Sequence, residues 1–248
     1  MRLGKIIKTA PEKPSGDCPS RRYYVFRADI LKINSNMNFF YFLLAVATIC
    51  IALFIKIKMP LWIGRSGERF VNRSLERLDP AHYMILNDIM LPSAGSLSAT
   101  QIDHVVVSNY GIFCIETKAY KGWIFGDSNQ EYWTQVIYRY KTRFYNPLRQ
   151  NYAHTKAIED LLISQYPNLK VISLVVFPYA GKLKISGTDL VGYMRDIVKK
   201  IESFNYVVFP DAQRDEIYKI LADTNIQDRG ARKTHDKGVR DLRATRKA

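Results

Sequence analysis

The sequence predicts an α/β domain on a mainly central sheet, preceded by one membrane-spanning helix. Three observations carry this. An uncharged apolar run fills residues 39–55. After it, β-rich and helical runs follow in the order α-β-β-β-α-β, a mixture that suits a sheet covered by helices. The 248 residues also suffice for one sizeable domain with its own core.

The apolar run is "FFYFLLAVATICIALFI", in which Thr48 is the clearly polar residue. At about 1.5 Å per residue it just crosses a hydrocarbon layer of about 30 Å. Lys56 and Lys58 can snorkel to the interface, and Trp62 suits an interfacial anchor. The span is therefore placed at residues 38–58. A signal peptide and a buried core helix are the competing readings. The following "KIKMPLWIG" has no small-residue cleavage motif, which disfavours the signal peptide.

Positive charge flanks both ends of the span. Arg2, Lys5, Lys8, Lys13, Arg21, Arg22, Arg27 and Lys32 precede it, while Lys56, Lys58, Arg65, Arg69 and Arg73 follow. The positive-inside rule does not choose between them. Residues 1–36 read as a low-order leader containing Pro, Gly and Ser, expected to be disordered. Translation from Met37 would remove it and make the domain side cytoplasmic.

Residues 62–222 form the expected folded domain. "GRSGERFVNRSLERL" (64–78) has an apolar stripe of Phe70, Val71, Leu75 and Leu78, so it reads as an amphipathic helix. Glu68 falls in its first turn, where a carboxylate favours the helix dipole. "HYMILNDIML" (82–91) reads as a strand and "PSAGSLSAT" as a loop. "QIDHVVVS" (101–108) and "GIFCIETK" (111–118), joined by "NY", read as an antiparallel hairpin. "GWIFG" and "EYWTQVIYRY" suggest further strands. "LRQNYAHTKAIEDLLISQY" (148–166) is a second helix and "KVISLVVFP" (170–178) a buried strand. Two later helices, in "GYMRDIVKKIESF" and "DAQRDEIYKILADT", flank a short "YVVF" strand. Residues 223–248 are a basic tail, mobile or loosely helical.

The formal net charge is +14. Such an excess suits nucleic acid, a membrane surface or an acidic protein, or serves solubility. Cys18, Cys50 and Cys114 form no CxxC pair or Cys/His cluster. That argues against a structural zinc site and a disulfide framework, and fits a reducing compartment.

The hairpin carries the chemistry. Side chains alternate along a strand, so Ile112, Cys114, Glu116 and Lys118 share one face. Glu116 and Lys118 then lie roughly 7 Å apart at the backbone. If Asn109-Tyr110 is a two-residue loop, Ser108 pairs with Gly111 and Asp103 falls opposite Glu116. A bulge at Gly111 would shift this by one. Two carboxylates in an apolar hairpin repel unless something positive compensates. Lys118 supplies one charge, and Mg²⁺ or Mn²⁺ would supply more while retaining waters. Such a cation can activate water and stabilise phosphoryl charge. Lys118 would orient the water or stabilise the pentavalent transition state. Spacing alone favours a plain Lys118–Glu116 salt bridge at a strand end, with Asp103 facing solvent, because D…ExK is short and degenerate.

"GRSGERFVNRSLERL", "NDIMLP", "QIDHVVVSNYGIFCIETKAYKGWIFG", Trp133 and "FYNPLRQNYAHTKAIEDLL" occur in this order. Together they resemble the nuclease-related domain (NERD) family, which looks like a branch of the PD-(D/E)xK nuclease superfamily. The resemblance covers about residues 64–178, and more loosely the helices to 222. It implies a restriction-endonuclease-like α-β-β-β-α-β core. It also implies that Asp103 and Glu116 bind the metal and that Lys118 is similar to the catalytic lysine. Glu68 resembles the extra helix carboxylate of many such sites, and Gln150 the helix glutamine of some branches. His104 and His154 are expected to be structural or hydrogen-bonding residues. Trp133, Tyr145 and Tyr152 could stack on bases, with packing as the ordinary use.

The functional expectation is a membrane-anchored, Mg²⁺-dependent nuclease acting on DNA, in DNA processing or defence. The alternative is a tethered nucleic-acid-binding or interaction module with an inactive site. A third reading, a basic domain that senses anionic lipid, would bind liposomes without nucleic acid.

Overall fold

A computed structural model describes residues 19–94 and 97–245, apart from the side chains of 19–38, 60, 61, 243 and 244. The expected leader lies outside the described residues up to position 18. The chain divides into two compact units, Met1–Met59 and Pro60–Ala248.

Helix α1 runs from Pro19 to Leu75. In the first unit its apolar residues, Phe39 to Ile57 among them, are exposed. This is the one helix among the described residues that is long and apolar enough to cross a membrane. Its continuity corrects one expectation. Glu68 does not sit in a first turn, because no helix begins at residue 64, so no free N-terminal N–H groups are there to favour its charge.

The second unit is mixed α/β with two sheets. β1 (Tyr83–Pro92), β2 (Ala99–Ser108), β3 (Gly111–Thr117), β7 (Val171–Phe177) and β9 (Val191–Tyr193) form a five-stranded sheet in the order β1-β2-β3-β7-β9. The first three strands are antiparallel, whereas β3-β7 and β7-β9 are parallel, so the sheet is mixed. β4 (Gly122–Asp127), β5 (Tyr132–Ile137), β6 (Tyr140–Tyr145) and β8 (Ala180–Ser186) form the second sheet, in the order β6-β5-β4-β8.

Period-two alternation divides the first sheet between two cores. Val106, Phe113, Ile115, Leu174 and Val176 pack with Val71 and Leu75 of α1 and with Ile197 and Ile201 of α3 (Ile197–Glu202). Val105, Val107, Ile112 and Cys114 pack with Ile158 and Leu162 of α2 (Pro147–Leu162) and with Ile217 and Leu221 of α4 (Asp211–Thr224). Helices thus cover both faces. A last helix, α5 (Arg229–Thr245), occupies the basic C-terminal segment.

The hairpin has the expected register. Ser108 pairs with Gly111 and His104 with Ile115. Gly111 has φ +142, a conformation that side chains disfavour. Two expectations change. "EYWTQVIYRY" splits into two strands at a turn where Tyr138 takes φ +53. "YVVF" is not a strand: the Val208 and Phe209 N–H groups both donate to the Asn109 carbonyl and join no ladder. Arg214 of α4 secures this corner by donating to the Ala81 carbonyl and to Asn109 Oδ1.

Candidate active site

Asp103 and Glu116 face each other one step beyond the last β2–β3 ladder pair, His104 with Ile115. Asp103 Oδ2 accepts the Thr117 backbone N–H at 2.8 Å, which closes that end of the hairpin. The Lys118 N–H donates to the Val176 carbonyl at 2.8 Å, so the lysine backbone is held by β7.

Helix α2 supplies the next group. Buried Asn146 caps it, accepting the Leu148 N–H at 2.9 Å, and Pro147 begins it. The Asn146 amide also donates to the Ser128 and Gln130 carbonyls, tying the helix start to the β4–β5 turn. One turn on, Gln150 Nε2 donates to Glu116 Oε1 at 2.8 Å, and its Oε1 accepts from Lys118 Nζ at 2.8 Å. Lys118 Nζ also donates to Glu116 Oε1. The three side chains close a triangle. Asn151 fixes the helix to the sheet by donating to the Cys114 and Leu174 carbonyls.

Four residues beyond Gln150, on the same helix face, stands His154. Its Nδ1 is 2.6 Å from Thr100 Oγ1, and its Nε2 is 3.3 Å from Glu116 Oε2. The second contact has ion-pair reach but is off the line that a hydrogen bond needs. From sequence this histidine is expected to be a structural or hydrogen-bonding residue. Its spacing from Gln150 was the signal that it would meet the same carboxylate.

Glu68 reaches the site from α1. At Gly67 an added Cβ would stand 3.0 Å from the Ala119 Cβ, so glycine lets the helix approach the β3–β4 link. Ser66 Oγ meets the Tyr179 hydroxyl at 2.8 Å beside it. No hydrogen bond joins Glu68 to the triangle, but its charge is felt at Asp103.

The electrostatics separate the acids. Burial opposes the Glu116 charge, yet the Lys118 ammonium and His154 outweigh it and hold the carboxyl down at about 2. Asp103 goes the other way: burial, then the Glu116 and Glu68 charges, push it well above the ordinary range despite the Thr117 N–H. Glu68 is raised by burial and by the Asp88 and Glu116 charges. Burial would depress Lys118, but the Glu116 charge and hydrogen bond raise it. Burial brings His104 down to about 4, so it is neutral at pH 7.

Asp88 is a further acid beside the site, one that spacing along the chain does not single out. The β1–β2 register places it opposite Asp103, at a break in the ladder where it takes φ +51. Gln101 Nε2 and Arg232 of α5 donate to its carboxylate at 2.6 and 2.9 Å. Of the aromatics considered, Trp133 is fully buried core and Tyr152 is exposed on α2. A separate cleft of about 310 Å³, walled by Leu183, Ile185, Leu190 and Tyr193, contains none of these groups.

The second unit is thus a mixed α/β domain with two acids opposed at one end of its hairpin. The nuclease-related domain family model matches residues 63–178. An uncharacterised Bacillus anthracis protein is 38% identical over 187 residues, covering 74% of this chain and 86% of its own length. The chain belongs to the nuclease-related domain (NERD) family. A crystallised protein of unknown function aligns over 73% of this chain and 99% of its own, with 11% identity and a TM-score of 0.29, a likeness that carries no argument.

Proposed function

We propose that the chain is a membrane-anchored, divalent-cation-dependent nuclease that hydrolyses phosphodiester bonds of DNA. One observation carries the reading: Asp103 and Glu116 face each other at a hairpin end, with Lys118 and Gln150 bonded to the same carboxylate oxygen.

The donor set suits Mg²⁺ or Mn²⁺. Asp103 and Glu116 offer hard oxygen donors, and several carboxylates share one ammonium. Among the described residues no group of three or more His, Cys, Asp or Glu stands in ligating geometry. Mg²⁺ commonly takes only one or two protein carboxylates and completes its shell with water and phosphate. A cation held there would supply Lewis-acid stabilisation of phosphoryl charge.

The chain's own residues do the rest. Glu116, ionised across the neutral range, holds the Lys118 ammonium in place. Lys118 stays protonated and offers a positive charge to the developing phosphoryl charge. Gln150 fixes both partners, with an amide that donates to one and accepts from the other. The apolar run of α1 anchors the chain in a membrane, and the second unit faces the cytoplasm, where DNA is available.

The test is incubation of the full chain, in detergent, with linear and circular DNA and Mg²⁺ or Mn²⁺, beside Glu116→Gln and Lys118→Met. Cation-dependent cleavage lost in both variants supports the reading. Equal cleavage by all three chains would be contamination and would remove it.

One observation favours a second reading, a tethered binding module. Both Glu116 oxygens are already engaged, Oε1 by Lys118 and Gln150 and Oε2 by His154. Salt-dependent DNA binding without cleavage in any cation, and with no stabilisation by Mn²⁺, would select it.

A further inference from the structure

We propose that the open face of the second sheet is a platform for single-stranded nucleic acid, separate from the carboxylate triangle. The observation is a one-sided division of residue types. Ile124, Trp133, Phe144, Leu183 and Ile185 turn to one side and pack in a core with Val175 and Phe177. The ladder then fixes what lies on the other side. Trp123 pairs with Val136 and Lys182, and Phe125 pairs with Thr134 and Lys184. Across β5–β6, Thr134 pairs with Arg143 and Val136 with Lys141. Directly paired residues share a face, so rings and cations alternate on it.

These groups are arranged for two kinds of contact. Trp123 is 50% exposed on this face. Lys182 and Lys184 hold their ammoniums 5.4 and 5.8 Å from its centroid, and Lys184 is also 5.3 Å from that of Phe125. Arg143 lies 5.0 Å over the Tyr132 ring. Aromatic faces take unstacked bases, and cations beside them take the flanking phosphates. A duplex hides its base faces, so the single strand is the better fit.

Charge complementarity supports an anionic occupant. The register puts Lys141, Arg143, Lys182 and Lys184 on this face against one acid, Asp127, at its edge. Asp127 is itself bonded to Ser186 Oγ at 2.6 Å and the Asn129 N–H at 2.9 Å. An anionic lipid surface has the same charge. Chain continuity favours nucleic acid, because β4 opens at Gly122, just after Lys118 in sequence. That last argument rests on the nuclease reading; the binding itself does not.

The test separates the two. Anisotropy of fluorescein-labelled oligo(dT) is measured with the full chain in detergent micelles and EDTA, at several salt concentrations. An equal-length duplex and phosphatidylserine vesicles run in parallel. Trp123→Ala is expected to weaken oligo(dT) binding about fivefold or more, with Trp123→Phe retaining most of it. The double variant Lys182→Gln/Lys184→Gln is expected to lower the salt slope by about 1.4. Duplex binding should change less. Unchanged oligo(dT) binding in both variants, or a loss confined to vesicles, overturns the proposal. EDTA removes cleavage from the measurement, so a failed nuclease assay leaves this result standing. Retained cleavage with no platform-dependent binding would reject this proposal alone.

Discussion

Replacing Asp103 by Asn should make the cation-free protein more stable while removing its response to a cation. Asp103 faces Glu116 across the hairpin, where opposed Cβ atoms lie about 5 Å apart. At an effective dielectric of about 20, two charges 5–7 Å apart repel by roughly 2–3 kcal/mol. Lys118 attracts Asp103 and cancels part of this, leaving about 1–2 kcal/mol. Asn keeps a carbonyl oxygen to accept the Thr117 N–H, so the hairpin closure survives. For a unit of this size the gain corresponds to roughly 3–6 °C in Tm. The assay is thermal unfolding in EDTA and in Mn²⁺, followed by tryptophan fluorescence, to which buried Trp133 contributes. The sign depends on pH. The folded-state pKa of Asp103 is raised, so the wild-type penalty is absent below the unfolded value, grows as pH rises from that value toward the folded one, and is complete above it. The advantage of Asn should therefore shrink toward pH 4. A variant less stable than wild type in EDTA at pH 7, or equally stabilised by Mn²⁺, refutes the reasoning.

Glu116 has the opposite sign. Its folded pKa of about 2 lies below the ordinary carboxyl value of 4.5, so its contribution is present above that value and lost as pH falls toward 2. The loss is on the order of 3 kcal/mol, and acid titration of unfolding should show it weakened in Glu116→Gln. Lys118→Met leaves Glu116 buried without its ion pair, which should cost about 3–5 kcal/mol by denaturant unfolding in EDTA. Gly126→Ala places a Cβ 2.4 Å from the Trp133 ring, so overpacking should cost about 1–3 kcal/mol, read as a lower denaturation midpoint. Asn146→Ala removes the α2 cap and leaves the Ser128 and Gln130 carbonyls without their donor. It should cost about 1–3 kcal/mol and lower cleavage by letting Gln150 move.

The hairpin register was legible because two β-rich runs meet over a two-residue join followed by a glycine, and that geometry leaves little choice. Once the register is set, the opposition of Asp103 and Glu116 follows from a period of two. The second sheet was harder to read. Its turn at Tyr138-Arg139 contains no Gly, Pro or Asn, so nothing in "VIYRY" announces a reversal. β8 is "AGKLKIS", whose Lys182 and Lys184 make an exposed face that mutes the apolar signal. "YVVF" has the composition of a strand, but its Val208 and Phe209 N–H groups are taken by one carbonyl of the hairpin turn, a tertiary contact that no local pattern contains. Asp88 was missed because its place opposite Asp103 depends on the β1–β2 pairing across the loop at 93–98, which spacing along the chain does not reveal.

The most direct measurement is a crystal structure of the chain with Mn²⁺ and a non-cleavable phosphorothioate oligonucleotide, using the anomalous signal to place the cation. The account predicts a peak between the Asp103 and Glu116 carboxylates, with a phosphate oxygen on the same ion and Lys118 beside it. An empty carboxylate pair under conditions that saturate DNA binding, or Mn²⁺ bound elsewhere, would contradict it.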